Sequence, residues 1–195
     1  RQVAPFGGKK GLLPTNPYAF SIPGGDRGVI GFDFATSAAA GGKVLAAKSA
    51  GRTLPEGCII DADGAPSINP DDYNNGGALL PAAGPKGYGM ALLAELLGEA
   101  VFGTCETGMN WLGVCVELGR FRGAAAYKAA AEACLAEVRS APAAPGFDRV
   151  EVPGERERAL KAARLTAGIP VPPATLDILK ASGAEIGADP ALLDV

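Results

Sequence analysis

Gly84-Pro85-Lys86-Gly87-Tyr88-Gly89 runs directly into the apolar stretch Met90 to Phe102. Three glycines and a proline make a turn that side chains cannot crowd. Leu92, Leu93, Leu96, Leu97, Ala100 and Val101 then recur at helical spacing, nearly all round the helix. A helix of that composition is expected to be buried, its N-terminus presenting a fixed set of free N–H groups at one place. Lys86 falls in the first turn, where a cation opposes the helix dipole by a few tenths to ~1 kcal/mol. A bound anion would remove that conflict, because dipole and ammonium both attract it. Taken alone, the turn reads equally as a glycine-rich turn carrying a solvated lysine. Its spacing matches neither the dinucleotide fingerprint G-x-G-x-x-G nor the Walker pattern.

Outward from this turn, the composition sets bounds. A chain of 195 residues is expected to form a single domain, here with a C-terminal helical tail from about residue 140. Apolar residues make up 48%, enough for a core, although aromatics are only 6%. The net charge of -3, with no basic stripe, argues against a nucleic-acid partner. The longest apolar run is too short to span a bilayer and is broken by Glu95, and no signal-peptide pattern opens the chain. A cytoplasmic protein without membrane contact is expected. Cys58, Cys105, Cys115 and Cys134 lack C-x-x-C spacing and histidine is absent, so no metal site is expected and the thiols suit a reducing compartment. Without histidine, proton transfer would fall to Asp, Glu, Lys, Tyr or another chain.

Along the chain, Arg1 to Pro17 is loop-like and has no initiator methionine, which fits a processed protein or a fragment. Tyr18 to Ile22 alternates like a short strand, and Val29 to Phe34 reads as a strand in the middle of a covered sheet. Asp33-Phe34-Ala35-Thr36-Ser37 leads into an alanine-rich helix over Ala38 to Ala50, with Thr36 or Ser37 as N-cap and Gly41-Gly42 inside it. Small residues after a buried strand, with an acid in its last turn, suit a ribose or nicotinamide site. Taken locally, a capped helix whose Asp33 bonds backbone amides is the stronger reading. Leu54 to Leu80 reads mostly as loop, with Asp61-Ala62-Asp63-Gly64 a tight turn rather than a calcium loop. Asn110 to Leu118 around Trp111 reads as a buried strand, Ala124 to Arg139 as a helix, and Asp148 to Val152 as a strand. Pro153-Gly154-Glu155 then turns into a charged helix over Arg156 to Ala167, and Ala174 to Ser182 forms the last helix.

T-N-P-Y-A-F-S-I-P (Thr15 to Pro23), D-F-A-T-S (Asp33 to Ser37), G-K-V (Gly42 to Val44), L-P-E-G (Leu54 to Gly57), D-A-D-G (Asp61 to Gly64) and L-L-P…G-P-K-G-Y-G (Leu79 to Gly89) stand in one order. With Val152-Pro153-Gly154-Glu155 and Ala167-Gly168-Ile169-Pro170, the set resembles the malate/L-lactate dehydrogenase family of the second type. Ureidoglycolate, sulfolactate, diketogulonate and piperideine-carboxylate oxidoreductases belong to the same group. The resemblance implies an α/β fold, a mixed sheet covered by helices, that binds a nicotinamide cofactor (NAD or NADP) without a conventional Rossmann domain. It assigns cofactor contacts to Asp33, Phe34, Ala35 and Thr36, to Pro85 and Lys86, and to Gly154 and Glu155. Only this resemblance reverses the local reading of Asp33. Thr15 and Asn16 become candidates for substrate or nicotinamide contact. The implied reaction is hydride transfer to or from a small 2-hydroxy or 2-oxo acid, and the implied assembly is a dimer.

Departures from the family pattern bear on catalysis. Members carry an N-terminal segment with a catalytic histidine, a serine and arginines that hold the substrate carboxylate, and this sequence contains no histidine. The region Thr104 to Asn110 is also short for the family. No catalytic residue is therefore assigned to this chain. Two readings stand: the cofactor-binding portion of such a dehydrogenase, taking its acid substrate only with that segment supplied, or a non-catalytic relative kept for nucleotide binding or as a subunit of an assembly. In either case a sheet left uncovered should expose an apolar face and recruit a second copy or another protein.

Overall fold

A computed structural model describes residues 2–103 and 110–189. The first six positions of the Thr104–Asn110 stretch, with Cys105, lie outside the described residues. The chain divides into two compact units, Arg1–Pro153 and Gly154–Val195.

The first unit is built around a small sheet that composition hides. Strand β3 (Ile59–Ile60) pairs antiparallel with β4 (Pro66–Ser67) on one side and β5 (Ala78–Leu79) on the other. Val3 bridges parallel to Leu79 and antiparallel to Leu13, which makes the sheet mixed. The stretch 54–80, expected to be loop, thus holds the centre of the core. Two-residue strands are too short to show alternation, and their burial comes from neighbours distant in sequence. The Asp61–Gly64 turn does behave as expected. Asp61 Oδ1 accepts the N–H groups of Asp63 (3.0 Å) and Ala65 (2.9 Å), and Gly64 adopts φ +90°.

Two helices close over this sheet. Helix α1 (Gly41–Ser49) starts later than expected and has Ala40, not Thr36 or Ser37, at its N-cap. Gly41 and Gly42 therefore open the helix instead of interrupting it, which lowers their cost. Helix α2 (Pro70–Asn74) follows Asn69, whose side chain accepts the Asp71 N–H, with Pro70 in the first turn. Lys48 Nζ lies 2.6 Å from Asp71 Oδ1 and ties α1 to α2. The core gathers Val3, Leu13, Val44, Ala47, Leu54, Cys58, Ile59 and Leu79, together with Ala91 from the next helix.

That helix, α3 (Pro85–Glu95), continues as a π-helical turn over Leu96–Val101. It is not buried all round. Only Gly87 and Ala91 are buried, while Leu93 and Leu96 are each about half exposed. Strands β1 (Tyr18–Pro23) and β2 (Val29–Phe34) form an antiparallel hairpin of two strands, not the middle of a covered sheet. Pairing Phe20 with Phe32 puts Tyr18, Phe20, Ile22, Ile30, Phe32 and Phe34 on one face and Asp33 on the other. Tyr18, Phe20, Phe32 and Phe34 stack along that face with neighbouring centroids 5.2–6.4 Å apart. Phe20 (52%) and Phe32 (47%) remain open to solvent. Both strands were legible, but a continuous apolar run cannot say whether anything covers it.

Helix α4 (Ala124–Ser140) clamps the hairpin tip. Tyr127 Oη–H donates to the Pro23 carbonyl at 2.7 Å, Lys128 pairs with Asp26, and Glu132 accepts the Asp26 N–H. Residues 110–117 form no strand, and Trp111 is 87% exposed. Alternation favours a strand only where an edge is available to pair with, and none reaches this segment among the described residues. Residues 148–152 likewise form no strand; Arg149 pairs with Glu151, and Val152 alone is buried. The second unit holds helices α5 (Glu155–Ala167) and α6 (Pro173–Glu185), both close to their expected bounds. Among the described residues, no helix is long and apolar enough to cross a membrane.

Candidate functional site

Three of the four blocks singled out in the sequence meet in the first unit, and backbone hydrogen bonds bring them together. The Thr15 carbonyl accepts both the N–H (2.9 Å) and the Oγ1–H (2.8 Å) of Thr36. The Thr36 carbonyl in turn accepts the N–H of Ala82 at 2.9 Å, and Ser37 bridges Pro81. The loop after β2 is thereby fixed to the turn that starts α3. That turn runs through Ala83 (φ +50°) and Gly84 (φ +60°), conformations that favour glycine. Gly87 is demanded by packing. A Cβ there would sit 2.2 Å from the Ala82 carbonyl oxygen and 2.8 Å from that of Thr36. The small residue keeps helix and loop in contact, not an approach path open for a ligand.

The predicted free N–H groups at the start of α3 are a correction. Pro85 has none, the Gly87 N–H goes to Ala82 O at 2.9 Å, the Tyr88 N–H to Gly84 O at 3.1 Å, and the Lys86 N–H to Ala83 O at 3.4 Å. The turn's own carbonyls occupy the amides, so attraction for an anion here falls to the Lys86 ammonium and the helix dipole. Thr36 and Ser37 are committed as well. Both are buried, and the Ser37 hydroxyl donates to Ala39 O at 2.7 Å. What remains for a ligand is polar and exposed: the Asp33 carboxylate and the Lys86 ammonium, neither with an ion-pair partner among the described residues. Asp33 bonds no backbone amide among the described residues, so the capped-helix reading finds no support there. Phe34 and Ala35, which follow Asp33 in the chain, are half-buried, and Pro85 is exposed.

Asn16 joins the assembly from the strand side. Its Nδ2 donates to Ala91 O (2.8 Å) and Glu95 Oε2 (3.1 Å), while the Tyr18 hydroxyl donates to Met90 O (2.9 Å). Glu95 was missed as a site residue, although one signal pointed to it: an acid within the apolar run Met90 to Phe102. Gly154 and Glu155 lie in the second unit. Gly154 takes φ +93° as the N-cap of α5, and Glu155 opens that helix with a favourable charge for its dipole. A surface cavity of about 240 Å³ between the hairpin tip and the start of α4, lined by Pro23, Arg122, Tyr127 and Lys128, contains none of these residues.

The fold has counterparts among solved structures. The solved structure of sulfolactate dehydrogenase from Methanocaldococcus jannaschii superposes with a TM-score of 0.76 at 32% identity, covering 97% of this chain and 58% of that one. In sequence, the L-sulfolactate dehydrogenase of the same organism is 36% identical over 176 residues, which is 83% of this chain and 50% of the relative. The Delta(1)-pyrroline-2-carboxylate/Delta(1)-piperideine-2-carboxylate reductase of Pseudomonas putida is 48% identical over 101 residues, 52% of this chain and 30% of the relative. The family model described as malate/L-lactate dehydrogenase matches residues 1–180. The chain belongs to the malate/L-lactate dehydrogenase family, and it spans about half the length, or less, of these curated relatives.

Proposed function

We propose that this chain is the cofactor-binding portion of an NAD(P)-dependent oxidoreductase acting on a small 2-hydroxy or 2-oxo acid in the cytoplasm. One observation carries the reading. The Asp33–Thr36 loop and the first turn of α3 are locked together through Thr15, Thr36 and Ala82, leaving an unpaired carboxylate and an unpaired ammonium exposed. That donor set fits a dinucleotide: Asp33 accepts hydrogen bonds from ribose hydroxyls, and Lys86 neutralises a phosphate. When bound, the nicotinamide supplies the hydride acceptor or donor. Phe34, Ala35 and Pro85 give the apolar walls, Thr36 supports the loop from beneath, and Gly154 with Glu155 is the further contact carried over from the family pattern. Thr15 and Asn16 stand at the reactive end. The acid is taken only when a segment with a proton donor and carboxylate-holding arginines acts with this chain, since the hydride step needs both.

A second reading, a non-catalytic relative that binds nucleotide as a subunit of an assembly, is favoured by the open aromatic face of the hairpin. Calorimetric titration of NAD⁺ and NADP⁺ tests the first. The parent chain should bind one of them, and Lys86→Met should lose about 1.5–3 kcal/mol of affinity, the range for a charge-assisted hydrogen bond. Equal affinities would return Lys86 to a solvated surface lysine.

A further inference from the structure

Asn16 is a non-glycine residue at φ +35°, directly before Pro17. Proline disfavours helical conformations in the residue before it, and asparagine is one of the few side chains that tolerate the left-handed region. Such a conformation persists where its surroundings over-determine it. Here they do: Nδ2 of Asn16 spends both hydrogens, on Ala91 O at 2.8 Å and Glu95 Oε2 at 3.1 Å. The main chain of the preceding residue, Thr15, accepts two hydrogen bonds from Thr36. The dipeptide Thr15-Asn16 therefore grips α3 with a side chain and the Asp33–Thr36 loop with a carbonyl. Glu95 closes the regular part of α3 just before its π-helical turn, a feature that often marks functional sites.

We propose that Asn16 and Glu95 are positioning residues: their clasp sets where the Asp33–Thr36 loop stands relative to the lysine-bearing first turn of α3. The proposal rests on the cofactor reading given above. It gives the Asn16 amide nitrogen to α3 and not to the acid substrate.

Asn16→Asp keeps the size and the left-handed tolerance but sets a carboxylate against the Ala91 carbonyl and the Glu95 carboxylate. NAD⁺ and NADP⁺ titrations should show affinity reduced about tenfold, with the binding stoichiometry of the parent, as for loss of one charge-assisted hydrogen bond. Asn16→Asp combined with Glu95→Gln restores a donor to the new carboxylate and should recover at least half of that loss on a logarithmic scale. Unchanged affinity in Asn16→Asp, or no recovery in the double variant, overturns the proposal. Amide exchange gives a readout independent of nucleotide. The N–H groups of Thr36, Ala82 and Gly87 should exchange faster in Asn16→Asp, while those of Asp63 and Ala65 keep the parent rate. Uniform acceleration, or none, means that the clasp is a general structural contact and rejects the positioning role. If the parent binds neither cofactor, the cofactor reading fails, and this exchange pattern alone decides whether the clasp controls the loop.

Discussion

At residue scale, glycine and lysine in one turn have separate duties. Gly87 is held against Ala82 O and Thr36 O, atoms of the backbone that cannot swing aside. Gly87→Ala should therefore destabilise the first unit by about 2 kcal/mol or more, the cost of overpacking a close contact, and a urea titration would measure it. A loss below ~0.5 kcal/mol would mean that the loop moves away freely. Lys86 behaves in the opposite way. It is exposed in the first turn of α3, so Lys86→Met keeps the packing of the stem and removes a charge opposed to the dipole. Stability should hold or rise by a few tenths of a kcal/mol. Affinity for nucleotide should fall while stability does not, a pairing expected of a ligand contact. In the sequence both residues were visible as one turn, and only their neighbours assign the roles.

At the scale of elements, the helices of the second half were read well, α1 and α3 only in part, α2 not at all, and strands unevenly. The bounds of α4, α5 and α6 follow local patterns: alanine-rich or charged periodic runs bounded by glycine and proline. Strands depend on partners. β1 and β2 found each other across a short Gly-rich connection, whereas the alternating residues after Asn110 found no edge to join among the described residues. Trp111 is the one tryptophan of the chain, so it reports on this segment alone. Its emission should be that of a hydrated indole and be quenched readily by iodide; a blue-shifted, protected emission would show the segment to be covered. The ion pair that α4 makes at the hairpin tip, between Lys128 and Asp26, is exposed and contributes little. The Lys128 ammonium is raised above its ordinary pKa by its hydrogen bond to Asp26 and by that carboxylate's charge. Its contribution is complete below the ordinary lysine pKa and is lost only as pH climbs through the raised value.

At the scale of the whole molecule, the apolar face formed by Phe20, Phe32, Ile22 and Ile30 continues the question of partners. Several aromatic and aliphatic side chains open on one face are unusual for a protein that works alone. We expect concentration-dependent self-association or capture of a protein partner. Sedimentation velocity should show it, and Phe20→Glu with Phe32→Glu should weaken it without unfolding the unit. A clean monomer at every concentration would count against a dimer. These 195 residues by themselves should show no turnover of NAD(P)H with malate, lactate or ureidoglycolate, because histidine is absent and general acid-base help is worth ~10²–10⁴-fold. A measurable rate in a steady-state assay would identify a proton donor on this chain.

What the sequence determined by itself was whatever depends on neighbours within a few residues. That includes the turn before α3, the Asp61–Gly64 turn, the helices of the second half, and the ordered blocks that mark the family. The tertiary structure alone decided the rest. It placed the core on two-residue strands, gave the amides of α3 to the turn's own carbonyls, and left the hairpin face open. It also joined Asn16 to Glu95 across 79 positions. The physical reason is the same in each case: a hydrogen bond or a covered face needs a partner, and the partner's distance along the chain is not written in the local pattern.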